Sequence, residues 1–300
     1  MIFQPGKAEL AFTGAGNRLV GDVVTPPWPG PHPGVVFVEG SGPGGRDLGD
    51  WPVRLAAAGL ASLAYDKPGS GASTGDWTTQ SLDDRARETV AAVRALRGHP
   101  AVAGAPVALI GGSQGGWVAQ LAAAADQGIA AVVTVSGPGV GVAAQEEYRL
   151  RHQLPAYGFG ADTVETALAL LAAQLRPGAD PAAVHAHQVR WQGEGWYPLL
   201  AGTTPASIAF LARIAGHDPE PVLARLRCPL LLVFGGDDVL VPVDDSVRAV
   251  ERILSSTGHP DFTTVVFPGA DHAVRLGTGE RAPGFDEFVT GWLRRRLSPA

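Results

Sequence analysis

The sequence predicts an α/β fold in which helices cover both faces of a mostly parallel sheet and a helical insertion interrupts the pattern. Three observations support this prediction. Short apolar runs rich in β-branched residues lack polar alternation, as expected for strands buried on both faces. These runs alternate with segments of helical character, which is the pattern of βαβ units. Between about residues 138 and 216 the strand-like runs stop while helical segments continue.

The first half of the chain contains six predicted strands. It opens with a hairpin, because two apolar runs flank a short link rich in Gly and Asn. A rigid Pro/Gly connector follows at residues 26–33. The strands are Ala8–Phe12, Arg18–Val24, Val35–Val38, Ala61–Tyr65, Val107–Ile110 and Ala131–Val135, and helices are predicted near Pro52–Gly59, over Leu82–Arg97 and over Gln114–Ala125.

The interval from Gly137 to about Gly216 is too long for a plain loop in a compact domain, so we expect a helical insertion over the carboxyl edge of the sheet. Its predicted helices are Gln145–His152, Thr163–Leu175, Pro181–Val189 and Pro205–Ile214. The C-terminal part then supplies the strands Leu230–Phe234 and Thr263–Phe267 and the helices Asp244–Leu254 and Phe285–Leu297. We therefore divide the chain into an N-terminal core part (1–137), the insertion (138–216) and a C-terminal core part (217–300).

Composition excludes several classes of function. Of 300 residues, 45% are apolar and 17% charged, which permits a large core, and the net charge of −6 gives no electrostatic footprint for nucleic acid or an anionic membrane. A single cysteine, Cys228, excludes an internal disulfide and fits a reducing compartment. The N-terminus lacks the features of a signal peptide. We expect a soluble, cytoplasmic protein whose partner is a small molecule, and the sequence does not indicate an oligomeric state.

One strand-to-helix junction carries a serine surrounded by glycines. Gly111-x-Ser113-x-Gly115 is the nucleophile-elbow pattern, in which a strand turns sharply into a helix and presents the serine at the tip. Such a turn strains the backbone of the serine, so its neighbours must lack bulk. The alternative is a glycine-rich loop with an incidental serine, and partners for Ser113 decide between the two.

An elbow serine needs a base and an acid that orients the base, and in this architecture the chain order is serine, acid, histidine. Asp237 and Asp238 follow one late strand, and His272 follows the next. Either aspartate could be the acid, whereas Asp271 is more simply explained as a loop cap. The other histidines lie in linkers, in a turn, or in or beside the insertion, so we expect structural roles for His32, His99, His152, His185, His187, His217 and His259.

The loop after the third predicted strand supports two interpretations. An oxyanion hole needs two backbone donors, and we expect Gln114 N–H and, from this loop, Ser41 N–H, with Gly42 as the alternative. The same loop contains Gly-x-Gly-x-x-Gly at residues 40–45, and Asp66 ends the next strand, which superficially fits a dinucleotide-binding oxidoreductase. Prolines at positions 43 and 52 bracket the place where a phosphate-binding helix should begin, and that interpretation leaves Ser113 and His272 unexplained.

The chain resembles an α/β-hydrolase of the carboxylesterase-like kind, akin to the serine-aminopeptidase-like and dienelactone-hydrolase-like groups. The motifs are Gly-Gly-Ser113-Gln-Gly, Gly-Gly-Asp-Asp238, Pro-Gly-Ala-Asp-His272, the loop Gly-Ser-Gly-Pro-Gly-x-Arg-Asp47 and the loop Tyr65-Asp-Lys-Pro-Gly-Ser-Gly-Ala-Ser73. The resemblance implies an eight-stranded, mostly parallel sheet with a helical cap after the sixth strand, no metal and no organic cofactor. It also favours Asp238 over Asp237, because Gly-x-x-Asp-x-x-Val-Pro is found in many such hydrolases.

One position departs from this resemblance, since many relatives carry His-Gly where this chain has Glu39-Gly40. A carboxylate facing the oxyanion would oppose its charge. We therefore expect Glu39 to turn away and tie down its loop against Arg46; facing inward, it would add an acid or base to the site. Glu39 and Gly42 remain candidate substrate contacts.

The predicted activity is hydrolysis of a carboxylic ester of a small, apolar substrate through Ser113, His272 and Asp238 and an acyl-enzyme. Acyl transfer, thioester hydrolysis and lactone chemistry use the same triad, and fold does not choose among them. A non-catalytic binding protein is a further alternative. Aromatic residues of the insertion serve either as its core or as substrate contacts, for which Trp191, Trp196 and Tyr197 are the candidates.

Overall fold

A single eight-stranded sheet organises the computed structural model, which describes residues 3–298. The strands in chain order are β1 (Gly6–Gly14), β2 (Asn17–Thr25), β3 (Gly34–Val38), β4 (Ala61–Tyr65), β5 (Val107–Gly112), β6 (Val132–Val135), β7 (Leu230–Gly235) and β8 (Phe262–Phe267). The helices are α1 (Trp51–Ala57), α2 (Leu82–Gly98), α3 (Gln114–Ala125), α4 (Val142–Ala156), α5 (Ala161–Leu175), α6 (Pro181–Gln188), α7 (Pro205–Ile214), α8 (Glu220–Leu223), α9 (Val243–Ser256) and α10 (Phe285–Leu297).

The spatial order of the strands is β1-β2-β4-β3-β5-β6-β7-β8. The β1–β2 and β2–β4 pairs are antiparallel, and every later pair is parallel. The predicted eight-stranded, mostly parallel sheet is therefore confirmed. Because parallel strands end at the same edge, the loops after β3, β5, β7 and β8 all leave from one side of the sheet.

Helices pack on both faces of the sheet, as the pattern of buried runs predicted. Along β3, Val36 and Val38 belong to one core with residues of α2 and α3, whereas Val35 and Phe37 belong to a second core with α1 and α10. This division follows from the alternation of side chains along a strand. The N-terminus of α2 is fixed by a capping box, in which the Ser81 hydroxyl accepts from the Asp84 amide and the Asp84 carboxylate accepts from the Ser81 amide.

The helical insertion after β6 is confirmed, and α4 to α7 form it. Helix α4 is longer than predicted: it begins three residues before Gln145 and ends four residues after His152, with Pro155 in its last turn. Two side chains of α4 bind the loop after β7, since the Tyr148 hydroxyl donates to the Asp238 carbonyl at 3.1 Å and Gln145 Nε2 donates to the Leu240 carbonyl at 2.8 Å. Among residues 3–298, no helix combines the length and the apolar character needed to cross a bilayer.

Candidate active site

Ser113 lies at a sharp turn between β5 and α3. Its backbone has φ +50° and ψ −125°, a strained conformation for a residue with a side chain. The turn brings neighbouring backbone segments so close together that there is no room for a side chain at two of the flanking glycines. A Cβ at Gly115 would lie 2.1 Å from the Val38 carbonyl oxygen, and one at Gly111 would lie 2.3 Å from the Gly115 oxygen. The glycines predicted from the elbow pattern are therefore sterically required.

The acid and the histidine meet as the strand order implies. Asp238 Oδ2 lies 2.7 Å from His272 Nδ1, and the Asp238 side chain is fully buried whereas that of His272 is 24% exposed. Asp237 is exposed, so of the two aspartates it is Asp238 that reaches the histidine. The Asp271 carboxylate accepts from the backbone amides at positions 273 and 275, which is the loop-capping role considered for it.

Ser113 and His272 line the walls of the same two cavities. No hydrogen bond joins these two side chains in the described part of the chain. In unliganded active sites such contacts are often long and tighten only when substrate binds. The arrangement therefore brings together the serine, the imidazole and the carboxylate that the sequence predicted.

The two cavities differ in size and in the chemistry of their walls. The smaller, of about 300 Å³, is mostly apolar and is closed by side chains of β3, α1 and α10, including Phe37, Trp51 and Phe285. The larger, of about 550 Å³, lies between the sheet edge and the insertion. Its apolar wall includes Trp77, Trp117, Phe210 and Leu211, and its polar wall is the α4 segment Gln145, Glu146, Arg149 and Gln153.

The residues predicted to supply the oxyanion donors line the same cavity as Ser113. Ser41, Gly42 and Gln114 all line the larger cavity, and Gln114 is the first residue of α3. A helix N-terminus presents unpaired N–H groups and a partial positive charge, both of which favour a developing anion. Gly40 packs closely against the elbow, because a Cβ there would lie 3.4 Å from the Ser113 Cβ.

Glu39 is not tied to Arg46, so that expectation was wrong. Arg46 instead pairs with Glu9 at 2.9 Å, Asp22 at 3.1 Å and Asp66 at 3.3 Å. The Glu39 side chain has no hydrogen-bond partner within residues 3–298, and Glu39 is one of the residues that line both cavities. Burial raises the pKa of its carboxyl, and the positive charges of Lys67 and Arg85 oppose that shift. Glu39 is thus an ionisable residue that lines the same two cavities as Ser113.

Asp66, which the dinucleotide interpretation would assign to a ribose, is used within the protein. Its carboxylate accepts from the backbone amides of Arg46 at 3.0 Å and Ala72 at 3.0 Å, and α1 begins only at Trp51. The glycines of residues 40–45 are therefore not followed at once by a helix. Within residues 3–298 no cluster of three His, Cys, Asp or Glu side chains is suited to a metal ion.

Two buried basic residues near the site are not predicted from the sequence. Lys67, which follows β4, and Arg85, on α2, are each only 3% exposed. Lys67 Nζ donates to the carbonyls of Gly40 and Gly42, and Arg85 donates to the Glu39 carbonyl and to Gln114 Oε1. The sequence does set Lys67 apart, because it is one of only two lysines among 23 basic residues.

The structure does not bring Trp191, Trp196 and Tyr197 to the site, since none of them lines either cavity at Ser113. They pack within the insertion: the Trp191 and Trp196 rings lie 6.4 Å apart, and the Tyr197 hydroxyl accepts from Gln188 Nε2 at 3.1 Å. The aromatic residues that do face the larger cavity include Trp77, which lies outside the insertion.

Comparisons with known proteins agree with this geometry. Residues 30–276 match the family described as serine aminopeptidase, S33. The chain is 30% identical to the monoacylglycerol lipase of Mycolicibacterium smegmatis, over 97% of this chain and 98% of that protein. It is 25% identical to the esterase EstD of Thermotoga maritima, over 89% of this chain and 60% of that protein.

The fold is also that of a solved structure. The dienelactone hydrolase of Anabaena variabilis superposes with a TM-score of 0.59 at 18% identity, over 98% of this chain and all of that one. At such identity the likeness concerns the fold alone. The family match, which spans most of the chain, concerns the enzyme class as well. The chain therefore belongs to the serine aminopeptidase S33 family and is a serine hydrolase of the α/β-hydrolase fold.

Proposed function

We propose that the protein hydrolyses carboxylic esters through a triad of Ser113, His272 and Asp238. The observation that carries this proposal is the convergence of these side chains. A buried carboxylate lies 2.7 Å from one nitrogen of an imidazole that shares two cavity walls with a serine in an elbow conformation. Relatives named as a monoacylglycerol lipase and an esterase support the choice of an ester bond.

In this mechanism Ser113 Oγ attacks the ester carbonyl while His272 Nε2 takes its proton. Asp238 fixes the ring through Nδ1 and stabilises the imidazolium that forms. The N–H groups of Ser41 and Gln114 receive the charge that develops on the carbonyl oxygen. His272 returns the proton to the departing alcohol, and a water molecule, activated by the same imidazole, then releases the acid from Ser113.

The cavity walls suggest an ester with an apolar part and a polar part. The smaller cavity and the aromatic wall of the larger one suit hydrocarbon groups, whereas the α4 wall carries amide groups and the Glu146–Arg149 ion pair, which suit a polar end. In this proposal residues 138–216 form the cap that selects the substrate, and α4 is its selective wall. The monoacylglycerol lipase that the chain resembles is named for an amphipathic ester of this kind.

The proposal is tested with p-nitrophenyl esters of increasing acyl length, assayed beside thioesters and lactones. We expect ester turnover and covalent labelling by a fluorophosphonate probe. Ser113→Ala should abolish both while it retains the circular dichroism spectrum of the wild type. Ser255→Ala, which removes an exposed hydroxyl on α9, is the matched control. Failure of the wild type to take the probe would exclude the proposed nucleophile, and turnover of thioesters or lactones alone would replace the ester in the proposal.

A further inference from the structure

Carbonyl groups of the loop that follows β3 face two buried side chains, Lys67 and Arg85. Lys67 Nζ donates to Gly40 O at 2.9 Å and also to Gly42 O. The Lys67 backbone amide donates to Gly44 O at 3.0 Å, so one residue binds this loop at three points. Arg85 donates to Glu39 O, immediately before them. The carbonyls at positions 39, 40, 42 and 44 are thus all held by residues beneath the loop.

A hydrogen bond that fixes the C=O of one residue also fixes the direction of the N–H of the next residue. In a trans peptide the C=O of one residue and the N–H of the next point in opposite directions. The peptide bond between Gly40 and Ser41 is trans. Because Gly40 O points to Lys67, the Ser41 N–H points away from Lys67, and Ser41 lines the cavity that contains Ser113. The bond from Lys67 therefore sets the direction of the donor assigned to the oxyanion.

The burial of the Lys67 amine opposes its protonation, because a charged group loses its hydration in the interior. The chain has two lysines among 23 basic residues, and the other, Lys7, pairs with Asp22 on the surface. Burial lowers the pKa of the Lys67 amine to about 6, and repulsion by Arg85 adds to that shift, while Glu39 and Glu88 oppose it. A neutral amine still offers two N–H groups, enough for two carbonyls. Hydrogen-bond donation, rather than charge, is thus available at neutral pH.

The stem of Lys67 fits closely beneath the loop. A Cβ at Gly44 would lie 2.8 Å from Lys67 Cδ and 3.1 Å from Glu39 Cβ, so the loop passes directly over the lysine stem. Arg85 holds the other side of the oxyanion site, because it also donates to Gln114 Oε1 at 2.7 Å. Lys67 thus binds the two residues that flank Ser41, and Arg85 binds the side chain of Gln114.

We infer that Lys67 is a positioning residue for ester hydrolysis, which aims the Ser41 N–H at the oxyanion by binding the Gly40 and Gly42 carbonyls. The inference rests on the proposed function. It predicts an effect confined to the transition state, because Lys67 binds the loop from beneath whereas the substrate lies in the cavity. If Lys67 only stabilised the fold, its substitution would lower the melting temperature but would not lower kcat at an unchanged KM.

The experiment compares Lys67→Met, which keeps the length of the stem without a donor, with Lys67→Gln, which keeps two N–H donors on a shorter stem. Lys7→Met is the matched control, since it removes the other lysine. We expect Lys67→Met to lower kcat by about 100-fold with KM nearly unchanged, the size of effect seen when one oxyanion donor is lost. The affinity for a trifluoromethyl ketone, which forms a tetrahedral adduct, should fall by a similar factor, and Lys67→Gln should recover part of both.

Three results with folded Lys67→Met would overturn the inference: a wild-type kcat, a rise in KM with no change in kcat, or a lower kcat with an unchanged affinity for the ketone. If Lys67→Met does not fold, Lys67→Gln decides, because the inference requires its kcat and ketone affinity to fall together, by less than 100-fold. Failure of the proposed function is distinguishable, since in that case the unmodified protein would neither hydrolyse esters nor take a fluorophosphonate.

Discussion

The carboxylate of Asp238 divides its two oxygens between His272 and the backbone. Oδ2 lies 2.7 Å from His272 Nδ1, while Oδ1 accepts from the amides of Leu240 at 2.7 Å and Val241 at 3.0 Å. The backbone bonds fix the carboxylate plane, and the carboxylate in turn fixes the imidazole ring. The short loop after β7 therefore sets the orientation of the His272 ring.

Asp238→Asn should lower kcat by about 10⁴-fold with little change in KM, because an amide favours the wrong imidazole tautomer and cannot stabilise the imidazolium. The measurement is steady-state hydrolysis of a p-nitrophenyl ester. Asp237→Asn removes the adjacent exposed carboxylate and should leave kcat within about twofold of the wild type. Equal losses in the two variants would contradict the assignment of the acid.

Two glycines of the elbow should differ sharply in their tolerance of alanine. A Cβ at Gly115 would meet the Val38 carbonyl oxygen at 2.1 Å, whereas one at Gly112 would meet nothing within 4 Å. We expect Gly115→Ala to lower the free energy of unfolding by more than about 3 kcal/mol, and Gly112→Ala to change it by less than about 1 kcal/mol. Urea denaturation followed by circular dichroism measures both, and similar values would contradict the close approach of β3 and α3.

Lys67 should titrate far from the ordinary lysine value of 10.5, since burial lowers its pKa to about 6. Lysine labelled with ¹³C at Cε gives a simple NMR spectrum, because the chain contains two lysines. We expect one signal to titrate near pH 6, and Lys7→Met to remove the other signal, which assigns the first to Lys67. The absence of any signal that titrates near pH 6 would contradict the lowered pKa of Lys67.

The same shift predicts a pH dependence of stability. Between about pH 6 and pH 10.5 the unfolded chain binds a proton at Lys67 that the folded chain does not, so folding releases a proton and stability rises with pH. The difference in free energy of unfolding between the wild type and Lys67→Met should therefore move in favour of the wild type as pH rises through this window. Denaturation measures this difference, and the same difference at pH 6 and pH 9 would contradict the prediction.

Glu39→Gln should change the pH profile of activity. Burial raises the pKa of Glu39 above its ordinary value of 4.5, with Lys67 and Arg85 opposing the shift. As the pH rises through that raised pKa, the wild type acquires a negative charge in the cavity wall beside Ser113, which opposes the oxyanion, whereas the glutamine variant stays neutral. The ratio of kcat/KM for Glu39→Gln to that of the wild type should therefore rise with pH. A constant ratio from pH 5 to pH 9 would contradict an effect of the Glu39 charge on the transition state.

The sequence predicts most of the sheet and the triad because these depend on local patterns. Buried β-branched runs, the glycines around Ser113 and the chain order of Asp238 and His272 are each visible in a few residues. The predicted extent of α4, Gln145–His152, is too short: the helix runs from Val142 to Ala156 and includes Pro155, although a proline there cannot donate to the carbonyl four residues earlier.

The contacts that the sequence does not predict join segments far apart in the chain. Arg46 has carboxylates on three strands or strand ends within reach, and which of them it binds depends on the sheet order rather than on its neighbours. Lys67 and Arg85 meet the β3 loop only because β4 and α2 pack beside it. The aromatic cluster of Trp191, Trp196 and Tyr197 shows the same limit, since composition cannot tell the core of an insertion from its inner wall.

The hydrogen bonds from Gln145 and Tyr148 to the loop after β7 constrain how the insertion can diverge. A replacement segment grafted between β6 and β7 would have to supply donors at these two points, or the loop carrying the acid would lose its outer supports. A chimera made with a relative should therefore retain both side chains.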